Sequence, residues 1–189
     1  MALPSAVLAL CSLPIFASAD NLSLILLYSL LPLYMIHQYE EHAHGKFVEF
    51  FNSTIGKGHE VLTKRSAFWI NILEVWVLFL VSFYLAKYVA IGFAFVPIYT
   101  TVLNGITHAI ASLILRRYNP GLYTSILLFF PWGLFLLTYF YGITPSNLFL
   151  FNAVGLLVAI LGHTVIVVYA IRRRNKLEAG SLRGAEANP

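Results

Sequence analysis

The segment His37-Gln38-Tyr39-Glu40-Glu41-His42-Ala43-His44 places three imidazoles and two carboxylates after a run as apolar as Leu24-Ile25-Leu26-Leu27. Residues 37, 40, 41 and 44 recur at i, i+3, i+4 and i+7, so a helix presents them as one stripe with His42 to one side. Ionisable groups this close to a membrane-grade segment are a functional-site hypothesis by default. Imidazole and carboxylate together suit Zn, Fe or Mn, one ion or two, and the lack of thiolates argues against a soft-metal site. Glu41 and His44 have the Glu-x-x-His spacing of bundle di-metal proteins. A second such pair is missing, because Val77 stands three residues after Glu74.

Such a stripe needs elements to hold it. The chain has 189 residues, 59% hydrophobic and 11% charged, with mean hydropathy +0.79. Ordinary soluble domains carry about 25% charged residues. These values predict an all-α fold, a polytopic transmembrane helical bundle. Five stretches reach the roughly 20 apolar residues that a crossing helix needs: 21–44, 66–89, 93–115, 122–141 and 147–171. Gly92, Asn119-Pro120-Gly121 and Gly142 to Pro145 mark the breaks. Residues 1–19 read as an extra hydrophobic helix or a signal peptide. Ala17-Ser18-Ala19 has the form of a cleavage site, but no basic residue precedes it, which favours the uncleaved helix. Residues 20–171 form the membrane domain, and 172–189 a disordered basic tail.

The single cysteine, Cys11, excludes an internal disulfide. The net charge of +4 sits in clusters beside the spans: Lys46, Lys57, Lys64 and Arg65, then Arg116 and Arg117, then Arg172, Arg173, Arg174 and Lys176. The opposite loops hold only Lys87. This alternation places the basic loops and the C-terminus in the cytoplasm, and it calls for no nucleic acid.

Counting inward from those clusters sets depth. His37, Glu74, His108 and His163 each lie eight or nine residues from the nearest flanking basic residue. At 1.5 Å per residue they share one level, roughly 12–14 Å from the flanking charges. A charge at mid-bilayer costs roughly 2.5–3.5 kcal/mol on insertion scales, so groups from four helices at one depth persist by sharing an internal site. The expected metal ligands are His37, Glu40, Glu41, His44, Glu74, His108 and His163. Asn71 and Asn104, one turn from Glu74 and His108, are expected to support them. Glu40 or Glu41 is expected to act as general base rather than ligand.

The expected function is that of a metalloenzyme acting on a membrane lipid or other hydrophobic substrate, hydrolytic with Zn and oxidative with Fe. Two further readings compete: a proton or cation transporter, and a structural subunit whose polar layer only packs helices. Trp76, Phe79 and Phe83 follow Glu74, with no ionisable group until Lys87. That asymmetry favours a blind pocket over a channel. His59 reads as a loop residue, and the Gly56-Lys57-Gly58 stretch lacks the spacing of a phosphate-binding loop.

His37-x-x-Glu40-Glu41, Asn104-x-x-x-His108 and Arg116-Arg117-Tyr118-Asn119-Pro120-Gly121 together resemble the HXXEE-motif family of small integral membrane proteins. The resemblance covers roughly residues 30–171. It implies a multi-helix membrane domain with a site at His37, Glu40 and Glu41, and it supplies no reaction. Residues 1–19 stand outside the family pattern.

Overall fold

The structure, a computed structural model, describes residues 22–144 and 146–186 together with residues 6 and 10, with side chains as far as Ser181. Cys11 and nearly all of residues 1–19 lie outside the described residues, and so does the choice between helix and signal peptide. Among the described residues the chain is all helical, with no strand. Five helices are long and apolar enough to cross a membrane: α1 (Leu22–Thr54), α2 (Lys64–Tyr88), α3 (Ile91–Leu115), α4 (Leu122–Ile143) and α5 (Leu148–Glu186).

The starts match the expected spans within a few residues, but two ends do not. The span expected to stop at His44 continues to Thr54. His44 and Gly45 adopt φ of 61° and 76°, which breaks the helix and lets it resume at Lys46 in a new direction. The second limb is amphipathic, with Phe47 and Phe51 inward and Lys46 and Glu49 outward. The tail expected to be disordered instead continues α5 to Glu186. Its Arg, Lys, Leu, Glu and Ala are good helix formers, and Arg174 pairs with Glu178 one turn on at 3.6 Å.

Local chemistry accounts for the other boundaries. Thr63 and Ser66 cap α2 reciprocally: the Ser66 amide donates to the Thr63 hydroxyl at 3.1 Å, and the Thr63 amide to the Ser66 hydroxyl at 2.8 Å. Asn52 clamps the preceding loop by accepting from the Val61 and Leu62 amides while donating to the Leu62 carbonyl. Both α2 and α4 contain widened π-helical turns, Ile72–Val77 and Ser125–Phe129. The second precedes Pro131, whose ring cannot join a regular α-ladder. Turns of this kind concentrate at functional sites.

A core of Leu30, Phe95, Ile98, Phe129, Leu136 and Phe140, all fully buried, joins α1, α3 and α4. In a bilayer, where lipid tails are as apolar as these side chains, packing and interhelical hydrogen bonds would hold such a bundle, at about 0.6–2 kcal/mol per bond. Gln38 donates to Asn71 at 3.0 Å, and the Trp76 indole to Gln38 at 3.3 Å. Tyr99 donates to Asn152 at 2.7 Å, and the Trp132 indole to Ser29 at 2.8 Å. These bonds fix the rotation of α1, α2 and α5 about their axes, which aims the polar layer inward.

Candidate metal centre

His37, Glu41 and His108 form the core of that layer. The first two lie one turn apart on α1, and the third comes from α3. They are 0%, 4% and 4% exposed. Glu41 Oε1 stands 3.0 Å from His108 Nε2 and 3.5 Å from His37 Nε2, and one ligand atom from each residue lies within 4.8 Å of the others. Tetrahedral zinc with N and O ligands at 2.0–2.2 Å needs ligand atoms about 3.3 Å apart, so the two Glu41 distances bracket the requirement. Among the described residues this is the one His/Glu group close enough to hold a metal ion.

Proton positions strengthen the fit. The Thr124 hydroxyl has one proton and donates it to Glu40 Oε2 at 2.5 Å. Its oxygen therefore accepts from His37 Nδ1 at 2.7 Å, which assigns the ring proton to Nδ1. In the neutral ring, His37 Nε2 is left as a lone pair. It faces a carboxylate oxygen, is buried and has no hydrogen-bond partner. Two lone pairs held this close repel, and a positive centre between them, a metal ion or a second ring proton, removes the conflict. Phe129 and Tyr34 pack on the His37 ring at centroid distances of 4.3 and 5.5 Å and close that flank to water.

Glu40, expected as ligand or base, does other work. Its carboxylate accepts from the Tyr118 hydroxyl (2.7 Å), the Tyr123 amide (3.1 Å), the Thr124 amide (2.8 Å) and the Thr124 hydroxyl. It thus satisfies the free N–H groups at the start of α4 and sets a negative charge at the positive end of that helix. Adjacent helical residues point about 100° apart, so Glu40 turns to α4 while Glu41 turns to the histidines. In the His-x-x-Glu-Glu motif, the first glutamate docks a helix and the second completes the triad.

His44 is also corrected. It sits exposed in the left-handed break and does not reach the triad. His42, which falls to one side of the stripe, is half-buried: Nε2 meets the Asn71 side-chain amide at 2.7 Å and lies 3.7 Å from Glu41 Oε2. Asn71 therefore orients His42 and Gln38, with no bond to Glu74. Glu74 and His163 lie outside the triad and pair with each other at 3.7 Å. The His163 Nδ1 proton goes to the Ala159 carbonyl at 2.9 Å. Gly162 makes room for Glu74, since a Cβ there would collide with Glu74 Oε1.

Two members of the triad and the pair share one cavity of about 410 Å³, lined at its polar end by Glu41, His108, Glu74, His163, Asn104 and Asn119. Glu74 Oε1, Asn104 Oδ1, His108 Nδ1 and Asn119 Oδ1 are buried there without a hydrogen-bond partner. Buried polar groups are nearly always satisfied, so this end of the cavity is built for a polar occupant.

The loop from Arg116 to Gly121 supplies what motif reading overlooked. Arg116 ends α3 at φ 49°. Tyr118 reaches Glu40, and Asn119 reaches the cavity. Gly121, at φ 100°, lies directly against the triad: a Cβ would stand 2.7 Å from His108 Cε1, 2.8 Å from His37 Cε1 and 3.0 Å from Glu41 Cγ. Glycine is required on both counts, backbone and space. Burial, and then the hydrogen bond to the Glu40 carboxylate, push the Tyr118 phenol well up.

No curated protein and no solved structure matches the chain. A family model described as a protein of unknown function with HXXEE motif matches residues 28–136. That range takes in His37, Glu40, Glu41, Glu74, His108 and the Arg116–Gly121 loop, and leaves His163 outside. With more than half its length matched, the chain belongs to the HXXEE-motif family.

Proposed function

We propose that this protein is a multi-pass membrane metalloenzyme whose ion, Zn, Fe or Mn, is held by His37, Glu41 and His108 in the cytoplasmic half of the bundle. The basic clusters beside alternate span ends support a cytoplasmic C-terminus. The observation that carries this reading is the bare, buried His37 Nε2 facing Glu41 Oε1 beside His108 Nε2. Two histidines and one glutamate are a donor set of catalytic zinc sites, which keep a fourth position open. A bound ion would polarise a substrate oxygen or lower the pKa of water.

This chain's own residues do the rest. Thr124 fixes the His37 tautomer, Gly121 lets the loop close on the ligands, and Phe129 and Tyr34 keep that flank dry. Glu41 and His108 face the cavity, so a substrate there meets the site directly. Glu74, beside His163 on the same wall, is the free carboxylate available as general base. The cavity rim includes Ile114, Leu115 and Val167, all exposed on apolar faces, so a lipid or other hydrophobic substrate enters sideways from the bilayer.

Elemental analysis of detergent-purified protein tests the proposal. Near-stoichiometric transition metal is expected, lost in Glu41→Gln and His108→Ala while helicity persists. Fully folded wild-type protein that binds no metal overturns it.

A further inference from the structure

We infer that the cavity takes an amphiphile with an uncharged, hydroxyl-bearing head, and that Glu74, Asn104 and Asn119 bind that head. This deepens the metalloenzyme reading and rests on it for the chemistry, though not for the binding. Three features of the cavity carry the inference.

The first is what the polar end offers. Glu74, Asn104 and Asn119 all line the cavity, and each has a side-chain oxygen buried without a hydrogen-bond partner. Asn119 is 4% exposed and belongs to a loop held in place at both ends, by Tyr118 on Glu40 and by Gly121 on the triad. Oxygen acceptors at one end call for a ligand that donates hydrogen bonds, as hydroxyls do.

The second is what the wall lacks. Its residues include Glu41 and Glu74 but no lysine and no arginine. An anionic head would then leave an unpaired negative charge in an apolar surrounding, which is strongly unfavourable. Phosphate-bearing lipids and fatty acids are thereby selected against, although the nearest arginines, Arg116 and Arg117, are only a few residues along the chain. Arg117 instead lies over the Phe50 ring at 4.9 Å, and its guanidinium reaches Ser53 at 3.4 Å.

The third is size and shape. At about 410 Å³ the cavity lies within the roughly 300–1,000 Å³ of pockets that hold small-molecule ligands. The apolar end is walled by Phe47, Phe51 and Leu62 on one side and by Ile70 and Ile166 on the other. A longer tail leaves through the rim at Ile114 and Val167.

Native mass spectrometry of the full chain, titrated with monooctanoylglycerol, octanoate and octanoyl lysophosphatidate, tests the inference. Wild type is expected to bind the glyceride at least about tenfold more tightly than either anion, the scale of one hydrogen-bonded charge penalty. Ala111→Phe, which fills the cavity from α3, should abolish glyceride binding without changing metal content. Glu74→Gln keeps the side-chain shape and should narrow the gap between neutral and anionic probes. Equal binding of the three probes, glyceride binding unaffected by Ala111→Phe, or an unchanged gap in Glu74→Gln overturns the inference. Metal content measured on the same samples separates the two proposals. Metal-free protein that still prefers the glyceride sinks the metalloenzyme reading alone. Metal-loaded protein with no preference sinks this one alone.

Discussion

Replacing Gly121 with alanine perturbs the triad through a single methyl group. The backbone there has φ 100°, and the new Cβ would lie 2.7 Å from His108 Cε1 and 2.8 Å from His37 Cε1. The left-handed conformation costs a side-chain-bearing residue about 1–2 kcal/mol. Forcing packed groups apart adds about 1–3 kcal/mol. Gly58→Ala is the matched control, because Gly58 has φ 90° and nothing within 4 Å of its Cβ position. It bears only the backbone cost. Denaturant unfolding in mild detergent should therefore rank Gly121→Ala about 1–3 kcal/mol below Gly58→Ala. Metal content should fall in Gly121→Ala alone, since the displaced rings no longer meet at Glu41. Equal destabilisation of the two variants, with metal retained in both, would refute the claim that this loop closes on the triad.

Glu40→Gln should lose about 1–3 kcal/mol of stability, as four donors meet a poorer acceptor, yet keep its metal. Glu41→Gln should show the reverse, and metal loss in Glu40→Gln would return Glu40 to the ligand set. Tyr118→Phe should lower stability by about 1 kcal/mol through its lost bond to Glu40. Because the phenol is pushed up from 10.0 by burial and then by the Glu40 carboxylate, its stabilising effect is fully present below pH 10.0 and fades only as pH rises further. Unfolding measured across the alkaline range checks this, and a wild-type advantage that disappears at neutral pH would contradict it.

Much of the architecture was legible because the spans are long and apolar and each ends beside basic residues. Counting inward from the basic clusters picked out His37, His108, Glu74 and His163 from four helices, on the premise that apolar spans admit polar groups only where they share a site. It could not divide them. Whether a group at that level joins the triad or faces it across a cavity depends on helix rotation, which Gln38, Asn71 and Trp76 set through contacts between helices. The stripe on α1 was read as one face, but its width spans two neighbours, so Glu40 and Glu41 separate. His44 left the stripe because Gly45 and His44 itself break the helix, a conformational choice that periodicity does not encode. Gly121, Tyr118 and Thr124 act through a turn whose path is set in three dimensions; Asn-Pro-Gly signalled the turn but not what it touches. The helical tail was misread because composition alone does not register the register-matched pair Arg174–Glu178.

The widened turn in α2 has a bearing on how this chain tolerates length change. Ile72–Val77 stores what amounts to one inserted residue between a polar half, Lys64–Asn71, and an apolar half, Leu78–Tyr88. Removing a single residue there would restore an ordinary helix with its two halves still in phase, whereas the same deletion in a regular helix turns one half against the other by about 100°. Glu74 sits inside that seam. A deletion that makes the backbone more regular would therefore spare the packing of both halves and redirect the seam's own residues, the Glu74 carboxylate above all.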